Sequence, residues 1–382
     1  MRMKIVVAMD SMKGSLSSLR AGNAVKAGIL RADPEAEVTV RLLADGGEGT
    51  LEALTAGLGG VLHRTRVTGP LGEPVEACFG VLADGVTAVV EMAQAAGLTL
   101  VPPERRDPLR ATTYGLGQLI RRAAELGCRR FLVGIGGSAT NDGGLGMLQA
   151  LGFEFLDSRG APLPFGALGL RDLAEIRTDR AMPELRACSF RVACDVDNPL
   201  CGERGCSAWY GPQKGARPED IPLMDEWLGR YARRVAALFP GADPLLPGAG
   251  AAGGLGFAFL SFLNARLESG VRIVLEETRL EPALAQADLV ITGEGRLDGQ
   301  TVMGKAPIGV ARMAKERGKP VLALAGAVTP EAAACNAAGI DAFFPILRAP
   351  LSLEQAMEPA TAERNLADTA EQVFRLWKCA GA

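Results

Sequence analysis

The chain has 382 residues, which at roughly 150 residues per domain suggests two domains or three. Lys+Arg at 41 against Asp+Glu at 44 leaves a net charge of −3, which excludes a generally basic nucleic-acid binder. No run of about 18 apolar residues occurs, so no membrane span is expected. The first apolar stretch, Ile5-Val6-Val7-Ala8, ends at Asp10, too short for a signal-peptide core, and a cytoplasmic protein is expected.

In chain order, Lys4–Met9 reads as a buried parallel strand, followed by a helical pattern from Ser15 to Leu30. Residues 38–43 form a second strand, and Gly46 to Leu58 a second helix. The pattern then changes. Residues 64–68, 75–82 and 87–92 read as strands joined by tight turns, a meander rather than a βαβ repeat. A helix over 113–126 precedes a strand over 131–135, a glycine-rich loop and a helix over 145–151. Residues 152–193 are mixed. Residues 194–216 are rich in Gly, Cys and Pro and read as a structured loop, with helices expected near 221–239 and 255–268. Strand–helix alternation returns with strands at 289–292, 320–324 and 342–346. Helices fall at 307–317, 330–338 and 361–377. Two α/β ends around a different middle predict a discontinuous Rossmann/flavodoxin-like parallel-sheet domain, residues 1–66 plus 286–382. Residues 67–285 form a large inserted mixed α/β domain.

Glycine makes up 48 residues, well above the average of roughly 7%. The excess clusters in short loops beside acidic, amide and lysine residues, where backbone can approach a ligand closely. Only eight of the basic residues are lysine, and three of them touch glycine inside motifs: Lys13, Lys214 and Lys305. His63 is the single histidine and sits in a strand-like segment, so a general base is expected to be a carboxylate or lysine. The eight cysteines show no disulfide framework. Cys194, Cys201 and Cys206 lack CxxC spacing, which favours small buried hydrophobes over zinc.

Six motifs can carry chemistry. Asp10-Ser11-Met12-Lys13-Gly14-Ser15 follows the first strand and presents a carboxylate, hydroxyls and a lysine where a helix begins. Asp45 to Thr50 places three glycines, 46, 47 and 49, among acidic residues after the second strand. Gly134 to Gly146 carries six glycines in thirteen residues with Ser138, Asn141 and Asp142, a nest for phosphate or carboxylate. Asp195 and Asp197 near a strand end suit Mg²⁺ or a general base, and Gln213-Lys214-Gly215 follows. Gly248 to Gly254 matches GxGxxG, but no strand precedes it, so it reads as a further anion-binding helix start rather than a dinucleotide fingerprint. Residues 299–305 fit GxxxxGK, yet Ala306 stands where a P-loop needs Ser or Thr, which argues against a true P-loop. Glu294, Asp298 and Lys305 still form a metal-plus-phosphate set. Anion nests, lysines and carboxylates with almost no histidine fit phosphoryl transfer.

Seven segments, 10–15, 43–50, 134–146, 194–200, 211–216, 247–254 and 288–307, together resemble the bacterial type-1 glycerate kinase family, in order and over nearly the whole chain. One departure is Met9 and Met12 around Asp10-Ser11, where the family commonly has Pro or Ala and then Phe. The resemblance implies ATP- and Mg²⁺-dependent phosphorylation of D-glycerate at the 2-hydroxyl, with the active site in a cleft between two α/β domains. On that basis Asp195 is the expected base, with Asp45 the runner-up and Lys13 a further catalytic group. Asp10, Ser11, Lys13, Arg296 and Asp298 would bind glycerate. Gly136, Gly137, Ser138, Asn141, Asp142, Lys214, Gly253, Gly254 and Lys305 would bind the nucleotide, and Asp298 and Glu294 would hold Mg²⁺. No nucleic-acid or membrane partner is expected, and the oligomeric state stays open. The alternatives are a kinase giving 3-phosphoglycerate or using another hydroxy acid, a nicotinamide-dependent oxidoreductase, and a non-catalytic nucleotide or acid sensor.

Overall fold

The computed structural model describes residues 2–44 and 50–380. The chain divides into two compact units, Met1–Asp45 with Val271–Ala382, and Gly46–Gly270. The expected boundaries near 66 and 286 differ from these for physical reasons. Strand Val61–Thr68 pairs antiparallel along its whole length with Pro74–Val81, which ties it to the second unit. Val271 and Leu275 of helix Gly270–Glu277 pack into the core of the first.

The first unit is a parallel five-stranded sheet in the order Ala342–Pro345, Val321–Val328, Leu289–Leu297, Lys4–Met9, Glu37–Val40. Alternate side chains of strand Lys4–Met9 face opposite cores. Ile5, Val7 and Met9 pack with Val25, Ile29 and Phe374. Val6 and Ala8 pack with Leu284, Ile308 and Val310. Burial on both faces is why the strand reads as an unbroken apolar run. Helix Ser18–Ala32 starts at Ser17, whose hydroxyl accepts the Arg20 N–H, a cap whose loss to alanine costs about 1 kcal/mol. Its buried stripe, Ala21, Ala24, Val25, Gly28 and Ile29, follows helical spacing. Gly28 is required there, because a Cβ would lie 2.1 Å from the Ala367 carbonyl oxygen of helix Pro359–Ala380.

The second unit holds a mixed six-stranded sheet in the order Arg266–Glu268, Ser189–Ala193, Arg130–Gly134, Thr87–Glu91, Pro74–Val81, Val61–Thr68. The last two strands are antiparallel additions to a parallel set. The expected meander is therefore seen across all three strands, and Thr87–Glu91 has a parallel neighbour on its other side. The expected helix over 255–268 ends at Phe262, and Arg266–Glu268 is a strand. Among the described residues, no helix is long and apolar enough to cross a membrane.

Candidate functional site

In the first unit, Asp10 follows strand Lys4–Met9 and is buried. Its N–H donates to the Gly293 carbonyl at 2.8 Å, and its Oδ1 accepts the Ser11 N–H at 2.7 Å. The Ser18 hydroxyl ties the end of that strand to the segment after strand Glu37–Val40, donating to the Met9 carbonyl and accepting the Leu43 N–H. Glu294 lies inside strand Leu289–Leu297 and is also buried. Its Oε1 accepts the Thr301 hydroxyl at 2.8 Å, and Lys305 Nζ stands 3.4 Å from its Oε2 and 3.8 Å from Asp298 Oδ1. Burial pushes the Glu294 carboxyl above the usual range, while Thr301 and Lys305 oppose the shift. Arg296 is exposed, with Nε 3.5 Å from Asp298 Oδ2.

These groups and Lys13 line a cavity of about 540 Å³ at the carboxyl ends of the two strands. Its other side is apolar and comes from residues the sequence did not single out for a site: Ile346, Leu347, Leu353 and Met357, with Asn365 beside them. A signal for part of this wall was present. Ser352 and Gln355 form a reciprocal capping box that starts helix Leu353–Met357, and S-x-x-Q is a readable helix start.

In the second unit, the loop after strand Arg130–Gly134 sorts its residues inward and outward. Gly136 and Gly137 are exposed, the latter with φ +73°. Ser138 and Lys214 are buried, and Lys214 Nζ donates to Ser138 Oγ at 2.8 Å and to the Thr140 carbonyl at 2.7 Å. Burial lowers the lysine to about 8, opposed by the nearby Cys206 and Asp142. Asn141 is buried and donates to Ser207 Oγ. Asp142 is buried and accepts from the Thr113 N–H and hydroxyl and from the Gly144 and Gly146 N–H groups. Burial raises its carboxyl, against those hydrogen bonds. The Gly253 carbonyl accepts the Gly143 N–H, and a Cβ at Gly253 would meet the Thr140 oxygen at 2.1 Å. Gly254 is likewise buried against Gly143 and Leu200.

The structure thus separates the residues expected at the nucleotide. Gly136 and Gly137 face outward. Asn141, Asp142, Lys214, Gly253 and Gly254 face inward and build the loop, because their polar atoms or missing side chains are used by its own backbone and its neighbours. Asp195 is exposed beyond strand Ser189–Ala193, on the same sheet edge as the loop, and its Oδ1 accepts the Gly270 N–H at 3.3 Å. Asp197 pairs with Arg204 instead. Asp45 lies outside the described residues.

Glu294 and Asp298 do not fit a resident magnesium site as they stand. An ammonium group sits within 4 Å of both, and Mg²⁺ needs oxygen ligands in octahedral array. Among the described residues, no cluster of three or more His, Cys, Asp or Glu side chains is placed to hold a metal.

A family model described as "Glycerate kinase family" matches residues 5–378. A glycerate kinase from Haemophilus influenzae is 46% identical, covering 98% of each chain. A glycerate 2-kinase from Escherichia coli is 46% identical over 96% of this chain and 98% of its own. The crystal structure of the protein assigned as glycerate kinase 2 in Salmonella typhimurium LT2 covers 100% of both chains with a TM-score of 0.92 and 46% identity. With its charged pocket at the ends of parallel strands and a match over almost its whole length, the chain belongs to the glycerate kinase family and is a kinase.

Proposed function

We propose that this chain transfers the γ-phosphoryl group of ATP, supplied as its magnesium complex, to the 2-hydroxyl of D-glycerate, giving 2-phospho-D-glycerate and ADP in the cytoplasm. The observation that carries this reading is the gathering of Lys13, Arg296 and Lys305 around one cavity with buried Asp10 and Glu294. Phosphoryl transfer asks for positioning and for positive charge on anionic oxygens rather than for covalent chemistry, and this set supplies both. The 2-hydroxyl follows the name of the E. coli relative. Magnesium travels with the nucleotide, since Lys305 stands within 4 Å of both Glu294 and Asp298.

Asp195 is the acceptor-side base in this reading. It is exposed at a strand's carboxyl end and held by one backbone N–H, which leaves carboxylate lone pairs for a substrate hydroxyl. Asp195→Asn is expected to lower kcat by about 10²- to 10⁴-fold with little change in the KM for D-glycerate. Steady-state kinetics with saturating ATP checks this. A variant that keeps near-wild-type kcat removes Asp195 from the role, and Asp45 becomes the base to test.

A further inference from the structure

We propose that the cavity of the first unit is the nucleotide site, with the adenine and ribose against its apolar wall and the polyphosphate toward Lys13, Arg296 and Lys305. This rests on the kinase reading and reverses the sequence expectation, which placed glycerate on Lys13 and Arg296. Four observations support it.

The sheet order makes Lys4–Met9 the strand from which the connections run in opposite directions, to Glu37–Val40 on one side and Leu289–Leu297 on the other. Open parallel sheets bind ligands outside the carboxyl ends of their strands at such a switch point. The cavity lies there. Its volume of about 540 Å³ falls within the roughly 300–1,000 Å³ range of pockets for drug-sized ligands, far more than a three-carbon acid fills. It also has two chemically distinct sides. Glycerate, with an oxygen on every carbon, has no use for a wall of Leu347, Leu353 and Met357, whereas a purine face does.

The fourth observation is Asn365. It lines the cavity, is 8% exposed, and its side chain makes no hydrogen bond among the described residues. Its amide is not among the fully enclosed polar groups, so it faces the open cavity, where a ligand replaces water on it. An amide offers a donor and an acceptor side by side, the pattern that pairs with the adenine N6 and N7 edge.

The test is calorimetric titration of the full chain with magnesium AMP-PNP, with inorganic tripolyphosphate and with D-glycerate, for wild type, Asn365→Ala and Leu353→Ala. Asn365→Ala is expected to weaken AMP-PNP at least 10-fold and Leu353→Ala about fivefold. Tripolyphosphate, which has no base, and D-glycerate should stay within twofold. A purely structural defect would not separate AMP-PNP from tripolyphosphate. If Asn365→Ala does not fold, Leu353→Ala decides, because that side chain is largely exposed. The proposal is overturned if both variants leave AMP-PNP binding within twofold, or if they weaken D-glycerate instead. Binding is read without turnover, so a wild type that binds AMP-PNP but leaves D-glycerate unphosphorylated by ATP overturns the D-glycerate reading alone.

Discussion

Lys214 illustrates what a single residue's environment decides. In the sequence it stood beside Gly215 in a glycine-rich loop and read as a phosphate ligand. In the fold its ammonium is enclosed, spending its hydrogens on Ser138 and the Thr140 carbonyl. Its neighbour in space, Asp142, is equally enclosed by backbone donors. Residue type and spacing picked out residues that the fold brings together, but not which members look outward, since that depends on contacts across more than seventy positions. The enclosed lysine has a thermodynamic signature. The folded chain releases its proton near pH 8, while the unfolded chain keeps it to the ordinary lysine value of 10.5. Unfolding therefore takes up a proton between those values, and this site makes stability rise with pH in that window. The stability of wild type relative to Lys214→Met should grow by up to about 3 kcal/mol from pH 7.5 to 10.5, read by urea denaturation. A constant difference across that range would show that the ammonium is not held as described.

At the scale of elements, apolar periodicity located most strands and helices, and its failures have identifiable causes. The strand from Leu289 was expected to stop at Thr292 because Gly293-Glu294-Gly295 breaks the apolar run. Pairing with Val321–Val328 carries it on to Leu297, and that pairing places Glu294 inside the cavity wall. Asn365 fell in an expected amphipathic helix, where a polar residue reads as solvent-facing. In the fold it has only 8% of its surface exposed and lines the cavity. The glycines at 248–254 read in the sequence as an anion-binding helix start, and in the fold Gly253 and Gly254 make close backbone contacts. Ala252, Gly253 and Gly254 all have positive φ, a kink that lets the start of this helix lie against Thr140 and Gly143. Gly253→Ala should therefore cost on the order of 2–4 kcal/mol, through both its φ of +69° and the approach to the Thr140 oxygen. Chemical denaturation measures this. An alanine variant as stable as wild type would mean the loop is not locked by that contact.

For the whole molecule, the alternation of strand and helix at both ends of the chain was enough to read a discontinuous parallel-sheet unit around a second α/β unit. The family was legible because seven motifs occur in order, which no single glycine loop could establish. The division of labour was harder to read. The charged cavity belongs to the first unit, and the glycine-rich loop with Asp195 to the second. Allocation of two anionic substrates among similar motifs depends on cavity size and on the apolar wall, neither of which shows in local sequence. The central claim is that the chain phosphorylates D-glycerate at its 2-hydroxyl. Incubating the purified protein with ATP, Mg²⁺ and D-glycerate, and following the products by ³¹P NMR, tests it most directly. The account predicts a 2-phosphoglycerate resonance growing with ADP. A 3-phosphoglycerate resonance, or ATP left intact beside unmodified D-glycerate, would contradict it.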